Sequence, residues 1–191
     1  MLEAKLKTTL IKNGQSYLLL IPKTKDYEKM LLDLLYFMVN DNMMPGIYIT
    51  VNKPFEEMRK MMMRRKIYVE LVLFIDAISK SLGFEVPELC NECTFIDHPR
   101  HLTDICIALN ESLNALNESV PEKGKFMVFD NMSNLLHYTN IETIEKFTEF
   151  ISNRVEQNNT NGIILMISSK NEQALIDRVS KYVDEKITIG G

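Results

Sequence analysis

The sequence predicts a three-layer α/β fold, with a mostly parallel sheet covered by helices on both faces. Three observations carry this. The apolar period switches repeatedly between strand-like and helix-like along the 191 residues, which implies strands joined by helical crossovers. Several strand segments are apolar at nearly every position, as expected of strands buried on both faces. Strands that alternate with helices in this way imply right-handed crossovers between parallel neighbours.

The elements follow in order. Leu6–Ile11 and Ser16–Ile21 flank Asn13-Gly14, a turn pair that tolerates φ > 0 and predicts a hairpin. Tyr17–Ile21 is the first core strand, ended by Pro22. Asp26–Val39 reads as a buried helix capped by Thr24 or Asp26, because it is apolar around most of its circumference. Ile47–Val51 is a short β-rich run after Pro45-Gly46. Pro54 suits the first turn of the next helix, with Glu56 and Glu57 early and Arg64, Arg65 and Lys66 late, the charge order that the helix dipole favours.

Leu71–Ile75 reads as a buried strand, although its Leu-rich composition and the continuation at Ile78 and Leu82 also fit a helix. A loop with Pro87 leads to the strand Thr94–Ile96. Leu102, Ile105, Cys106, Leu109, Leu113 and Leu116 then fall on one helical stripe. Phe126–Phe129 is apolar on both faces and is expected at the sheet centre. Thr139 and Glu142 have capping-box spacing before a helix with Ile144, Phe147, Ile151 and Val155 on one face. Ile163–Ile167 is a strand, Glu172–Tyr182 a helix and Lys186–Ile189 a terminal strand.

Composition narrows the function classes. Apolar residues make up 46% and charged residues 25%, a globular balance with room for a full core. The net charge of −4 means that nucleic-acid binding would need a local basic patch. Apolar runs stay too short for a membrane span and the N-terminus lacks a secretory h-region. Three cysteines make no disulfide framework, so the cytoplasm is the expected compartment.

Lys125–Tyr138, KFMVFDNMSNLLHY, has a hydrophobic strand ending in Asp130. It resembles the Walker B region of RecA-superfamily ATPases, especially archaeal KaiC-like proteins. The segments ELVLFIDAIS, FIDHPRHLTDICIALNESLNAL and GIYITVNKPFEEMRKM resemble the strands and helices upstream of that region. VEQNNTNGIILMIS and LIDRVSKYVDEKITI resemble those downstream. The likeness runs over roughly residues 15 to 190, in order. It implies a single RecA/KaiC-like domain over 1–191, with 1–16 as an N-terminal hairpin strand.

The departures decide the functional expectation. The family's phosphate loop reads G-x-x-x-x-G-K-[ST], with glycines that let backbone N–H groups wrap the phosphates. Here YLLLIP runs into Lys23-Thr24-Lys25-Asp26, and no glycine lies between Gly14 and Gly46. The family's acid after the second core strand is replaced by Asn52-Lys53-Pro54. The resemblance therefore implies a scaffold without ATPase chemistry and without a cofactor, with Lys23, Thr24 and Asp130 as vestigial nucleotide-site positions. Its expected role is contact with protein partners, as a homo-oligomer or beside an active RecA/KaiC-like protein. The alternatives are a residual nucleotide-binding sensor, or a nucleic-acid-binding protein of the DNA-repair type.

Other candidates read as structural. Cys90, Cys93, His98 and His101 have the form C-x₂-C-x₄-H-x₂-H. An intervening strand would separate Cys93 from His98 by about 15 Å at about 3.3 Å per residue, so no metal is expected. Asp76 and Asp130 are expected to serve structure, Asp130 by capping a turn. Arg59, Lys60, Arg64, Arg65 and Lys66 read as a solvated helix face whose methionines point inward, and no aromatic residue is interleaved among them. Cys106 reads as a small core residue, and most of the 12 methionines as core filling.

Overall fold

The computed structural model describes residues 9–10, 14–22 and 27–189. Seven strands form one sheet: β1 (Ser16–Pro22), β2 (Gly46–Thr50), β3 (Val72–Asp76), β4 (Cys93–Phe95), β5 (Lys125–Asp130), β6 (Thr160–Ser168) and β7 (Glu185–Thr188). Their order is β4-β3-β2-β5-β6-β1-β7, and every pairing is parallel. All six core strands expected from sequence are present. β5 lies in the middle of the order and is buried along its length. Leu71–Ile75 resolves as strand: Val69–Leu71 forms a 3₁₀ turn and Val72–Asp76 joins the sheet.

Period-2 alternation divides the core into two layers. Leu18, Leu20, Ile47, Ile49, Met127, Phe129, Ile164 and Met166 face one side. There they pack on α3 (Leu102–Ser119), α4 (Ile141–Gln157) and α5 (Gln173–Val179). Tyr17, Leu19, Tyr48, Phe74, Phe126, Val128 and Ile163 face the other side, under α1 (Tyr27–Tyr36) and α2 (Phe55–Arg64). The stripe predicted on α3 is the buried one: Leu102, Ile105, Leu109, Leu113 and Leu116 are all in the core. Cys106 packs half-buried against it, and burial pushes its thiol up to about 11. Gly46 stands opposite Phe126 in register, where a Cβ would overlap the Phe126 ring.

Four details differ from the sequence expectation. The hairpin does not form: β1 lies between β6 and β7, both parallel, so neither edge is left for an antiparallel partner. Most of Leu6–Ile11 lies outside the described residues; Thr9 is helical, and Leu10 is a buried turn residue whose carbonyl accepts from Asn161 Nδ2 at 2.8 Å. Thr139 does not cap α4. Asn140 does, accepting from the Thr143 amide at 2.9 Å, while the Thr139 amide still belongs to the preceding turn and donates to Leu135. The helix after Tyr27 ends at Tyr36 and loosens into a π-helical turn, Phe37–Asp41. The predicted 172–182 helix is α5 with a 3₁₀ turn at each end. Among the described residues no helix is long and apolar enough to cross a membrane.

Candidate functional site

Parallel register aligns the last residues of three strands. Thr50 of β2 is paired with Asp76 of β3 on one side and Asp130 of β5 on the other. All three are fully buried. This row lies at the C-terminal edge of the sheet, where open α/β sheets bind ligands. Each member is engaged by the protein itself.

Asp76 organises the neighbouring backbone. Its carboxylate accepts from the amides of Phe55 (2.7 Å), Ile78 (2.8 Å) and Ser79 (2.9 Å), and from the Ser79 hydroxyl (2.5 Å). Pro54, the residue before α2, offers no side-chain cap. Asp76 therefore satisfies the first free N–H of that helix from another element and places a negative charge at its positive end. Thr50 shapes the next turn, donating to the Lys53 carbonyl at 2.8 Å and accepting from the Lys53 amide at 3.0 Å.

Asp130 is closed in by two phenols. The hydroxyls of Tyr27 and Tyr48 donate to its two carboxylate oxygens, one to each. Tyr48 arrives because residues 48 and 128 are paired in register, which leaves it diagonal to Asp130 on the same sheet face. Tyr27 arrives from the first turn of α1. Burial is the largest influence on the Asp130 carboxyl and pushes it up; the two phenol hydrogen bonds and the Lys53 charge pull it back without cancelling that rise. Burial, then the nearby Asp130 charge, holds both phenols well above their ordinary range. The turn-capping role expected of Asp130 belongs instead to its neighbour, since Asn131 Oδ1 accepts from the Ser133 amide at 2.9 Å. Both Asp130 oxygens are taken by the two hydroxyls, which leaves the equally buried Ser133 amide to Asn131.

Lys53 fastens the same region from outside. Its ammonium bridges Glu28 of α1 at 3.0 Å and Glu57 of α2 at 2.8 Å. Burial alone would lower the Lys53 ammonium, but the hydrogen bonds to Glu57 and Glu28 outweigh it and hold it raised. Asn52 is exposed in the turn. Lys23 and Thr24 lie outside the described residues.

The other sequence candidates do not converge on this row. Cys93 is buried in β4 with its thiol pushed up, and Cys90 is half-buried. His98 and His101 stand before α3 with ring centres 6.0 Å apart, and His98 lies edge-on to Tyr138. No group of three or more His, Cys, Asp or Glu among the described residues is arranged to hold a metal ion. On α2, Met58 and Met62 are buried as expected, whereas Met63 is exposed together with Arg64, Arg65 and Lys66.

No protein-family model matches the sequence, and no curated protein does. Solved structures do match. The uncharacterised protein PH0321 from Pyrococcus horikoshii, solved in complex with an unknown peptide, aligns with a TM-score of 0.72 at 11% identity. That alignment covers 93% of this chain and 78% of the other. The KaiC-like protein PH0186 from Pyrococcus horikoshii OT3 aligns with a TM-score of 0.62 at 12% identity, covering 92% of this chain and 71% of that one. The fold is RecA/KaiC-like. Within that KaiC-like fold, Asp130 ends the central strand, as the Walker B resemblance implied, and Tyr27 and Tyr48 are the site residues that sequence reasoning missed.

Proposed function

We propose that this KaiC-like domain is non-catalytic and works through protein–protein contacts, assembling with itself or with an active paralogue. The observation that carries the reading is the closure of Asp130. A Walker B acid acts by holding Mg²⁺ against nucleotide phosphates, and Mg²⁺ needs near-octahedral oxygen ligands including phosphate and water. Asp130 is fully buried and each of its oxygens accepts a tyrosine hydroxyl. The described residues therefore do not fit a magnesium–nucleotide pair.

Two sequence features support the same reading. The stretch after β1 holds no glycine for a phosphate cradle, and Asn52-Lys53-Pro54 stands where the family has its acid. Lys53 is engaged as an ion-pair bridge between α1 and α2. A structural neighbour of the same fold was solved with a peptide bound, which favours polypeptide over nucleotide as the partner class.

The test is steady-state ATP hydrolysis with Mg²⁺ by the pure chain and by Asp130→Asn, with circular dichroism to establish that both are folded. Turnover should stay at background in both. ATP hydrolysis that disappears in folded Asp130→Asn would overturn the reading and favour the nucleotide-sensor alternative.

A further inference from the structure

The Cys90–Cys93 pair takes no part in the Asp130 row, and among the described residues it has no third ligand with which to hold a metal ion. The fold nevertheless brings the two thiols to one place. The chain bends at Asn91 and Glu92, between them, before β4 begins. Pro87, Glu88, Leu89, Asn91 and Glu92 are exposed, whereas Cys90 turns inward and packs half-buried on the core cluster that contains Cys93. Both cysteines line one hollow of about 450 Å³ at the outer edge of β4.

The two sulfurs differ in how firmly they are held. Cys93 opens β4 in register with Phe74, and Glu92 before it is fastened twice. The Glu92 carbonyl accepts from the Phe74 amide at 2.7 Å, and its carboxylate pairs with Arg59 of α2 at 3.3 Å. Cys93 is 5% exposed. Burial, then the Asp76 charge, pushes its thiol up, so Cys93 stays protonated and is a poor first nucleophile. Cys90 ends a run, residues 85–91, that makes no hydrogen bond with a described residue. A segment so lightly tied moves readily by the small amount that bond formation needs. A disulfide requires Cα atoms about 4.4–6.8 Å apart, less than the roughly 10 Å that three extended steps would span. The bend is therefore what makes the pair competent.

We propose that Cys90 and Cys93 form a reversible disulfide, a redox modification site at the open edge of the sheet. Cys90 reacts first and Cys93 resolves. The oxidant is a low-molecular-weight disulfide. The Cys90 thiolate attacks one of its sulfurs, forms a mixed disulfide and expels a small thiolate, which takes up the proton that Cys90 gave away. The Cys93 sulfur then attacks the Cys90 sulfur and expels the second small thiol, which carries off the Cys93 proton. Two protein thiols are oxidised to one disulfide, and one small-molecule disulfide is reduced to two thiols. Excess small thiol attacking the half-exposed Cys90 sulfur reverses the sequence. Cys106 packs on the other core layer, against α3, and stands outside the exchange. The bond ties residues 85–91 to β4, and the inference is independent of whether the domain hydrolyses ATP.

The test equilibrates the full, folded chain with oxidised and reduced glutathione at several ratios. Acid quenching, alkylation of the remaining thiols and peptide mapping by mass spectrometry follow. The native chain should lose two hydrogen atoms and join Cys90 to Cys93, with Cys106 alkylated, and reduced glutathione should restore both thiols. Cys106→Ser should behave as the native chain does. Cys93→Ala should stop at a glutathione adduct on Cys90, and Cys90→Ser should take up no glutathione at Cys93. Circular dichroism shows that each variant is folded, and the native map decides the matter should Cys93→Ala fail to fold. The oxidised chain should unfold at a higher urea concentration than the reduced one, because a fold that favours the disulfide is favoured by it to the same extent. Free Cys90 and Cys93 in excess oxidised glutathione would overturn the proposal. So would a disulfide through Cys106 or between two chains, an adduct on Cys93 in Cys90→Ser, or a lower urea midpoint after oxidation.

Discussion

Tyr48→Phe removes one hydroxyl from a fully buried carboxylate while leaving the aromatic ring in the core. A hydrogen bond to a charged group contributes about 1.5–3 kcal/mol, so a loss of that size is expected at neutral pH. Part of the loss reflects Asp130 itself. Its carboxyl is already raised by burial, and removing a phenol donor raises it further. A group whose folded value lies above its unfolded value contributes stability that is full below the unfolded value. That contribution is lost as pH rises through the folded value. The Tyr48→Phe penalty should therefore shrink at acid pH, as the carboxyl takes up its proton, and should grow as pH rises. In an Asp130→Asn background the same substitution removes only a neutral hydrogen bond, about 0.5–1.5 kcal/mol, so the double-mutant cycle should show coupling of about 1 kcal/mol or more. Urea unfolding followed by far-ultraviolet circular dichroism at about pH 4.5 and 7.5 measures all four proteins. A Tyr48→Phe penalty that is independent of pH and uncoupled from Asp130 would refute the closed-carboxylate argument.

Further outcomes follow from the same structure. Asp76→Ala strands three buried amides, at Phe55, Ile78 and Ser79, at about 1–3 kcal/mol each, so its unfolding midpoint should fall far more than that of Tyr48→Phe; near-native urea stability would show that Asp76 is not the anchor of α2. Gly46→Ala forces a methyl into the buried Phe126 ring and should cost about 1–3 kcal/mol, with partial recovery in Gly46→Ala/Phe126→Leu. An equally stable Gly46→Ala chain in thermal unfolding would mean that β2 and β5 are spaced more loosely than their register indicates.

The strand content was legible because buried parallel strands write themselves as apolar runs. Phe126–Phe129 has no polar face and so had to lie inside the sheet. The hairpin misled because Asn13-Gly14 is a local signal, whereas the partners of β1 are set by distant segments, β6 and β7. At α4 the capping-box spacing pointed to Thr139, but the Thr139 amide still belongs to the preceding turn and Asn140 caps the helix instead. Asp130 was readable as a strand-ending acid. Its tyrosines were not, because Tyr48 depends on the register of β2 against β5 and Tyr27 on where α1 docks. Strand parity held one usable signal: Tyr48, Val128 and Asp130 share a face once residues 48 and 128 are paired.

The electrostatics of this sheet edge add a reason beyond the closed carboxylate. Among the described residues, Asp76, Asp130, Glu28 and Glu57 gather there around the single cation Lys53, whose ammonium is already shared by two of them. A phosphate-binding edge needs the opposite balance, with backbone N–H groups and cations facing the anion. The first free N–H at the start of α2, that of Phe55, is already taken by Asp76. Two unit charges 4 Å apart interact by about 1 kcal/mol in water and by about 4 kcal/mol at the effective dielectric near a protein surface. A polyphosphate brought to this row would meet repulsion from these acids, and among the described residues the Lys53 ammonium beside them is already shared by Glu28 and Glu57. Replacing Asp130 alone would remove one of four negative charges, so Asp130→Asn should not by itself create nucleotide affinity.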